Sequence, residues 1–296
     1  MGLRFKTISF LSDYGHGDEF VGVVHSVIRS IAPAVTIIDI THDIEPFNVR
    51  AGGLALARAA PYLRPGVVLA VVDPGVGTDR RPVAIEVGDG QSYLVGPDNG
   101  LMASAVAMVG GATGAVVLDN TSFHLSSPGA TFDGRDVFAP VAAQLCLGLD
   151  PAELGTPIDP IQLLPGLLPV SEVADDGTIT AEVLWVDRFG NVQLNVDPAQ
   201  LAGWPPPVRL TWGNGTRIAS RVDSFAAINQ AGLGLIVDSS GLLSLAIYQG
   251  SAADELNLGE TDQITLAPVD STPGAAATAP VELTVKQRAP NGRTTR

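Results

Sequence analysis

The chain has 296 residues, 46% hydrophobic and 16% charged, enough to bury a sizeable core as one large or two medium domains. Its formal net charge is −14. That argues against nucleic acid and anionic membrane surfaces as partners, since both need clustered Lys and Arg, and it suits a cationic ligand.

The single Cys146 cannot form an intrachain disulfide and reads as a small buried hydrophobe. No apolar run reaches the roughly 18 residues of a membrane span. Met1 to Lys6 lead into a strand without a signal-peptide core, so a cytoplasmic protein is expected.

In chain order, Ile8–Leu11 reads as a strand and Glu19–Ile31 as a helix with Asp18 near its start. Val35–Ile40 is a strand, Val49–Tyr62 a helix and Val67–Val72 a strand. Short strands follow at Val83–Val87 and Ser92–Val95, then a helix at Leu101–Val109. Val116–Leu118 is a strand, and Val137–Leu147 a helix ending near Gly148. This alternation predicts an α/β N-terminal domain, residues 1–165, with a largely parallel central sheet. Ligands gather at the carboxyl ends of such strands, where Asp13, Asp43 and Asp73 stand.

Residues 151–169 are rich in Pro and Leu and read as a linker. From Thr178 the pattern becomes β: Ile179–Val186, Val192–Val196, Val208–Trp212, Arg217–Ser220, Leu233–Val237, Leu243–Ile247 and Gln263–Leu266. An all-β barrel-like domain over 166–270 is expected. Residues 271–296 are Ala-, Thr- and Pro-rich, and their composition predicts a disordered tail, with Val281–Val285 a candidate extra strand.

The most informative stretch is Val67 to Arg80. An apolar strand delivers Asp73 into an Asp-Pro-Gly turn, and Arg80 can fold back onto that carboxylate. A held carboxylate–guanidinium pair can orient a water or a hydroxyl group. The plainer reading is a turn with a surface ion pair, and Arg81 is an equal candidate by type.

Five segments, in order, resemble the S-adenosylmethionine (SAM) hydroxide adenosyltransferases, relatives of the bacterial fluorinase and chlorinase. They are Phe10 to Gly15, Val72 to Thr78, Gly96 to Leu101, Thr131 to Pro140, and Asp187 to Asn191. The resemblance implies an N-terminal α/β domain and a C-terminal barrel. It also implies hydrolysis of SAM to adenosine and methionine without metal or cofactor, in a homotrimer whose sites lie between subunits. Family spacing selects Arg80 over Arg81. One departure stands out: the family reads Thr-Phe-His-Gly-Arg-Asp where this chain has Asp133. Asp73, Arg80 and Asp133 are the implied catalytic residues. Asp133 brings a second carboxylate toward one water, or else points away. His124 is a nearby substitute or an ordinary loop histidine.

The resemblance also implies substrate-binding roles. Asp13 would accept from the ribose hydroxyls, a vicinal diol that suits two carboxylate oxygens. Asp18 would lie near the methionine ammonium, and Phe47 would pack on the ligand. Phe189 and Asn191 would hold adenine, with Phe225 as a further face and Asp187 touching substrate or bracing its loop. Ser239 and Ser240 would lie near the methionine carboxylate. Asn99 and Arg135 read as structural. Three alternatives remain. A halogenase is disfavoured, because halogenating members carry Tyr where Asp73 stands and a carboxylate repels halide. A metal-dependent hydrolase would draw on Asp13, His16, Asp18, His42, Asp43 and Asp73. A non-catalytic SAM or adenosine binder would follow from loss of the histidine.

Overall fold

The computed structural model describes residues 2–166, 168–213, 215–230 and 232–269. The tail, with Val281–Val285, lies outside the described residues.

The first sheet is built from β1 (Thr7–Ser12), β2 (Thr36–Thr41), β3 (Val67–Val71), β4 (Pro82–Val87), β5 (Ser92–Pro97), β6 (Ala112–Val117) and β7 (Thr156–Ile158). Its order is β2-β1-β3-β5-β4-β6-β7. The strands β2, β1, β3 and β5 run parallel, and β4, β6 and β7 add antiparallel pairings. Helices α1 (Phe20–Ile31), α2 (Val49–Ala59), α3 (Ala103–Met108) and α4 (Ala139–Leu147) cover it.

Strand alternation explains the layering. Val67, Leu69 and Val71 of β3 join one core with Ile28 of α1 and Leu145 of α4. Val68, Ala70 and Val72 join a second core with Leu56 of α2 and Ala105 of α3. A strand apolar on both sides is therefore sandwiched between helical layers.

The second unit contains β8 (Glu172–Val173), β9 (Ile179–Val186), β10 (Val192–Leu194), β11 (Val208–Trp212), β12 (Gly215–Arg221), β13 (Leu233–Val237), β14 (Leu243–Ile247), α5 (Ala252–Leu256) and β15 (Gln263–Pro268). Seven strands, in the order β10-β14-β13-β12-β11-β15-β9, close on themselves through the β9–β10 pairing. Val183, Val192, Leu210, Leu235, Leu245 and Leu266 fill this barrel. The two units touch where Arg50 of α2 pairs with Glu182 of β9 at 2.6 Å and Arg58 stacks over Trp185.

The structure departs from the sequence reading in three places. Part of the expected linker is β7, the antiparallel edge of the first sheet. The helix expected over Val137–Leu147 begins as a π-helical turn, Gly134–Phe138, before α4. Strand β8 and helix α5 carry too few residues to show a period. Gly148 does end α4, in the left-handed conformation at φ +92°. Cys146 is fully buried, and burial pushes its thiol up to about 12, so it packs as an inert apolar group.

Candidate active site

Asp73 leaves the fully buried end of β3 and enters a turn closed by the Val76 amide on its own carbonyl. The Thr78 amide and hydroxyl both donate to the Gly75 carbonyl, at 3.2 and 2.6 Å. This turn swings Arg80 back. Its Nε donates to Asp73 Oδ1 at 3.1 Å, and one terminal nitrogen donates to Asp73 Oδ2. The same terminal nitrogen donates to Asp133 Oδ2 at 2.7 Å. One guanidinium therefore bridges two carboxylates. The side chains of Asp73 and Arg80 are only 6% and 8% exposed, and Asp133 is 19% exposed.

Two glycines permit this convergence. Gly77 has φ +77°, and a Cβ there would lie 2.7 Å from the Ala130 carbonyl oxygen, on the loop that leads to Asp133. A Cβ at Gly134 would collide with the Tyr14 hydroxyl. Tyr14 is thus packed against the residue beside Asp133. Burial, with the charges of Asp13, Asp73 and Asp133, raises the Tyr14 pKa well above the phenol range despite Arg80, so it stays protonated. Sequence reasoning missed Tyr14, although it stands next to Asp13 in the first motif.

Burial raises the Asp73 pKa, Arg80 opposes that by charge and hydrogen bonding, and Asp133 adds to the rise. The net direction is upward, which makes Asp73 a stronger base than a surface carboxylate.

The adjacent arginines separate cleanly. Arg81 pairs with the buried Asp98, whose other oxygen accepts from the Leu164 amide at 2.8 Å. Arg81 also reaches the Gln162 carbonyl, so it ties down the segment after β7. Asn99 bridges the Val72 carbonyl and the Leu101 amide, and Arg135 forks onto Asp136, both structural uses. His124 makes no hydrogen bond to Asp133, and its Nε2 is buried without a partner among the described residues.

Asp13 follows β1 and accepts the Phe47 amide on Oδ2 at 2.9 Å. That bond anchors Phe47 at φ +68° and presents its ring to solvent, 72% exposed. Asp18 is exposed at the bend before α1.

The six remaining predicted residues come together elsewhere. Asp187, Phe189, Asn191, Phe225, Ser239 and Ser240 line one cavity of about 870 Å³ on the barrel. None of Asp13, Asp18, Phe47, Asp73, Arg80 and Asp133 lines it. Asp187 braces its loop: it accepts the amides of Phe189 and Asn191 and the Asn191 side-chain NH2, at 2.8 to 2.9 Å. Among the described residues no donor reaches Asn191 Oδ1, which leaves it as an acceptor at the cavity. Gly190, at φ +79°, sits where a Cβ would strike Ser251.

Asp238 is a further residue the sequence did not flag. It receives Ser244 Oγ at 2.9 Å, the Gln193 amide group and the Ser240 amide, and so shapes the turn bearing both serines. Of the metal set considered from sequence, only His42 enters a three-residue ligand cluster among the described residues, and its companions are His25 and Asp39.

The chain thus joins an α/β unit with carboxylates at neighbouring strand ends to a closed barrel with its own cavity. Residues 8–155 match the SAM hydroxide adenosyltransferase N-terminal domain, and residues 181–265 match the corresponding C-terminal domain. The chain belongs to the SAM hydroxide adenosyltransferase family. It is 44% identical over 257 residues to the (R)-S-adenosyl-L-methionine hydrolase of Salinispora tropica, covering 87% of this chain and 96% of that one. It is 39% identical over 271 residues to the (R)-S-adenosyl-L-methionine hydrolase of Thermus thermophilus, covering 86% and 97%. A crystal structure of an uncharacterized conserved protein from Thermotoga maritima superposes with a TM-score of 0.80 at 34% identity, covering 88% of this chain and 99% of that one.

Proposed function

We propose that this enzyme hydrolyses S-adenosyl-L-methionine to adenosine and L-methionine, with Asp73, Arg80 and Asp133 preparing the attacking water. The observation that carries this reading is the Arg80 guanidinium shared by Asp73 and Asp133, in a chain 44% identical to a named SAM hydrolase.

The reaction needs little from the protein beyond placement. The sulfonium departs from C5′ as a neutral thioether, taking the C–S electron pair. Water supplies the new C5′–O bond and must lose one proton. Asp73, raised in basicity by burial, accepts a hydrogen bond from that water and then its proton. Arg80 fixes the rotamer of Asp73 and ties it to Asp133. The second carboxylate takes the place of the family histidine as a water acceptor. Two carboxylates against one guanidinium also leave a local negative charge, which attracts a sulfonium and repels a halide. That charge weighs against the halogenase alternative.

The C-terminal residues supply the nucleoside end: Phe189 and Phe225 offer ring faces, and Asn191 Oδ1 accepts from an exocyclic amine. Asp13 meets the ribose through Oδ1 and the remaining lone pair of Oδ2. In one chain the barrel cavity includes none of the N-terminal site residues, and Phe47, Phe189 and Phe225 are at least half exposed. The family resemblance implies a homotrimer, and we infer that in it the barrel cavity of one subunit faces the Asp73 loop of its neighbour.

The direct test is chromatography of purified protein incubated with SAM, EDTA and no halide. Adenosine and methionine form in equal amounts, and Asp73→Asn abolishes both. Binding of SAM without turnover would overturn the hydrolase reading in favour of a binder.

A further inference from the structure

We propose that His25, Asp39 and His42 form a binding site for a divalent cation of the zinc class, behind the turn that carries Asp13. His25 projects from α1, Asp39 from β2, and His42 from the residue just past β2. His25 Nε2 and His42 Nε2 lie 2.9 and 3.0 Å from the same oxygen, Asp39 Oδ1. All three donor atoms fall within 4.8 Å of one another. Bound to zinc at about 2.0 to 2.2 Å in a tetrahedron, neighbouring ligand atoms sit roughly 3.3 to 3.6 Å apart, so a few tenths of an ångström of spreading at each contact converts this cluster into a coordination shell.

His42 supplies the independent observation. Its side chain is fully buried, and its Nε2 has no hydrogen-bond partner among the described residues. Asp39 Oδ1 is near enough, but the contact lacks hydrogen-bond geometry. A buried imidazole nitrogen of this kind costs free energy unless something satisfies it. The opposite ring nitrogen is held by Ser12 Oγ at 2.7 Å, which fixes the ring and aims Nε2 at the cluster, as hydrogen bonds behind metal-bound histidines do. His25 and Asp39 are 31% and 41% exposed, giving an ion a path from solvent and room for water in the open positions.

The donor set selects the ion. Two imidazoles with one carboxylate suit zinc and its transition-metal neighbours, whereas magnesium and calcium prefer all-oxygen shells. The site also has a mechanical link. Ser12 immediately precedes Asp13, and the Gly15 amide donates to the His42 carbonyl at 2.8 Å. A bound ion would clamp α1 to β2 and stiffen the turn holding Asp13. This inference stands apart from the hydrolase reading, because none of its three residues is assigned to that chemistry.

The test uses untagged full-length protein stripped with chelator and titrated with Zn²⁺ by calorimetry and with Co²⁺ by visible absorption. We expect one saturable ion per chain, Co²⁺ d–d bands, no displacement by excess Mg²⁺, and a higher melting temperature with Zn²⁺. His25→Gln and Asp39→Asn, both at partly exposed positions, should each weaken binding at least tenfold and remove the thermal shift. His124→Gln should leave binding unchanged. Absence of saturable binding, or binding retained in both His25→Gln and Asp39→Asn, would overturn the proposal.

Discussion

At the residue scale, Asp73 is a carboxylate whose surroundings oppose one another. Burial favours the neutral form of Asp73 and Arg80 favours the charged one, with the balance toward a raised pKa. Catalysis needs the charged form. The acid limb of kcat/KM should therefore lie above the ordinary carboxylate range near pH 4, with the rate rising as pH rises through it. The stability sign is opposite. A folded pKa above the unfolded value contributes stability at low pH, and that contribution is lost as pH rises through the folded pKa. Asp73 alone therefore contributes less to stability where its charged form predominates. Asp133 offers a sharper test. Because it shares the Arg80 nitrogen, the proposed mechanism makes it part of the water site, and Asp133→His should lower kcat by about tenfold or more rather than restore a family norm. A rise in kcat would mean that the aspartate is a defect.

Some residues were legible from the chain and some were not, for definite reasons. Asp73 was, because a β-branched strand running into Asp-Pro-Gly can only end there. Arg80 and Arg81 are the same residue type side by side, and only the turn geometry sends one to Asp73 and the other to Asp98. Tyr14 was missed because an aromatic after a strand reads as core. Asp238 was missed because Asp-Ser-Ser-Gly reads as a simple turn, with no sign that Gln193 and Ser244 converge on it.

At the element scale the site depends on loops meeting without Cβ atoms between them. Gly134 opens a π-helical turn under the Tyr14 hydroxyl. Gly134→Ala should lower stability by about 1–3 kcal/mol through overpacking and displace Asp133, read as a lower melting temperature together with a lower kcat. Tyr14→Phe in the same background should recover part of the melting temperature, since removing the hydroxyl opens the contact. Runs of buried β-branched residues made most strands readable, including β3 and β9. Strand β7 was not, because Thr156-Pro157-Ile158 is too short for alternation and its proline signals a linker. The proline is tolerated because β7 is the edge of its sheet.

At the scale of the whole molecule, the proposed catalytic and nucleoside-binding residues occupy different parts of one chain, and the proposed trimer brings them together. Two individually inactive variants make that visible. Asp73→Asn removes the base, and Phe189→Ala removes an exposed ring of the barrel cavity. Subunits of the two, mixed and exchanged, should regain activity, because some interfaces then carry both intact halves. No recovery after verified subunit exchange would place the whole site within one chain.

The central claim is that water, prepared by Asp73, attacks the ribose carbon. Hydrolysis of SAM in ¹⁸O-enriched water, with both products weighed by mass spectrometry, tests it most directly. One ¹⁸O is expected in the 5′-hydroxyl of adenosine and none in methionine. Label in the methionine, or adenosine without label, would contradict it.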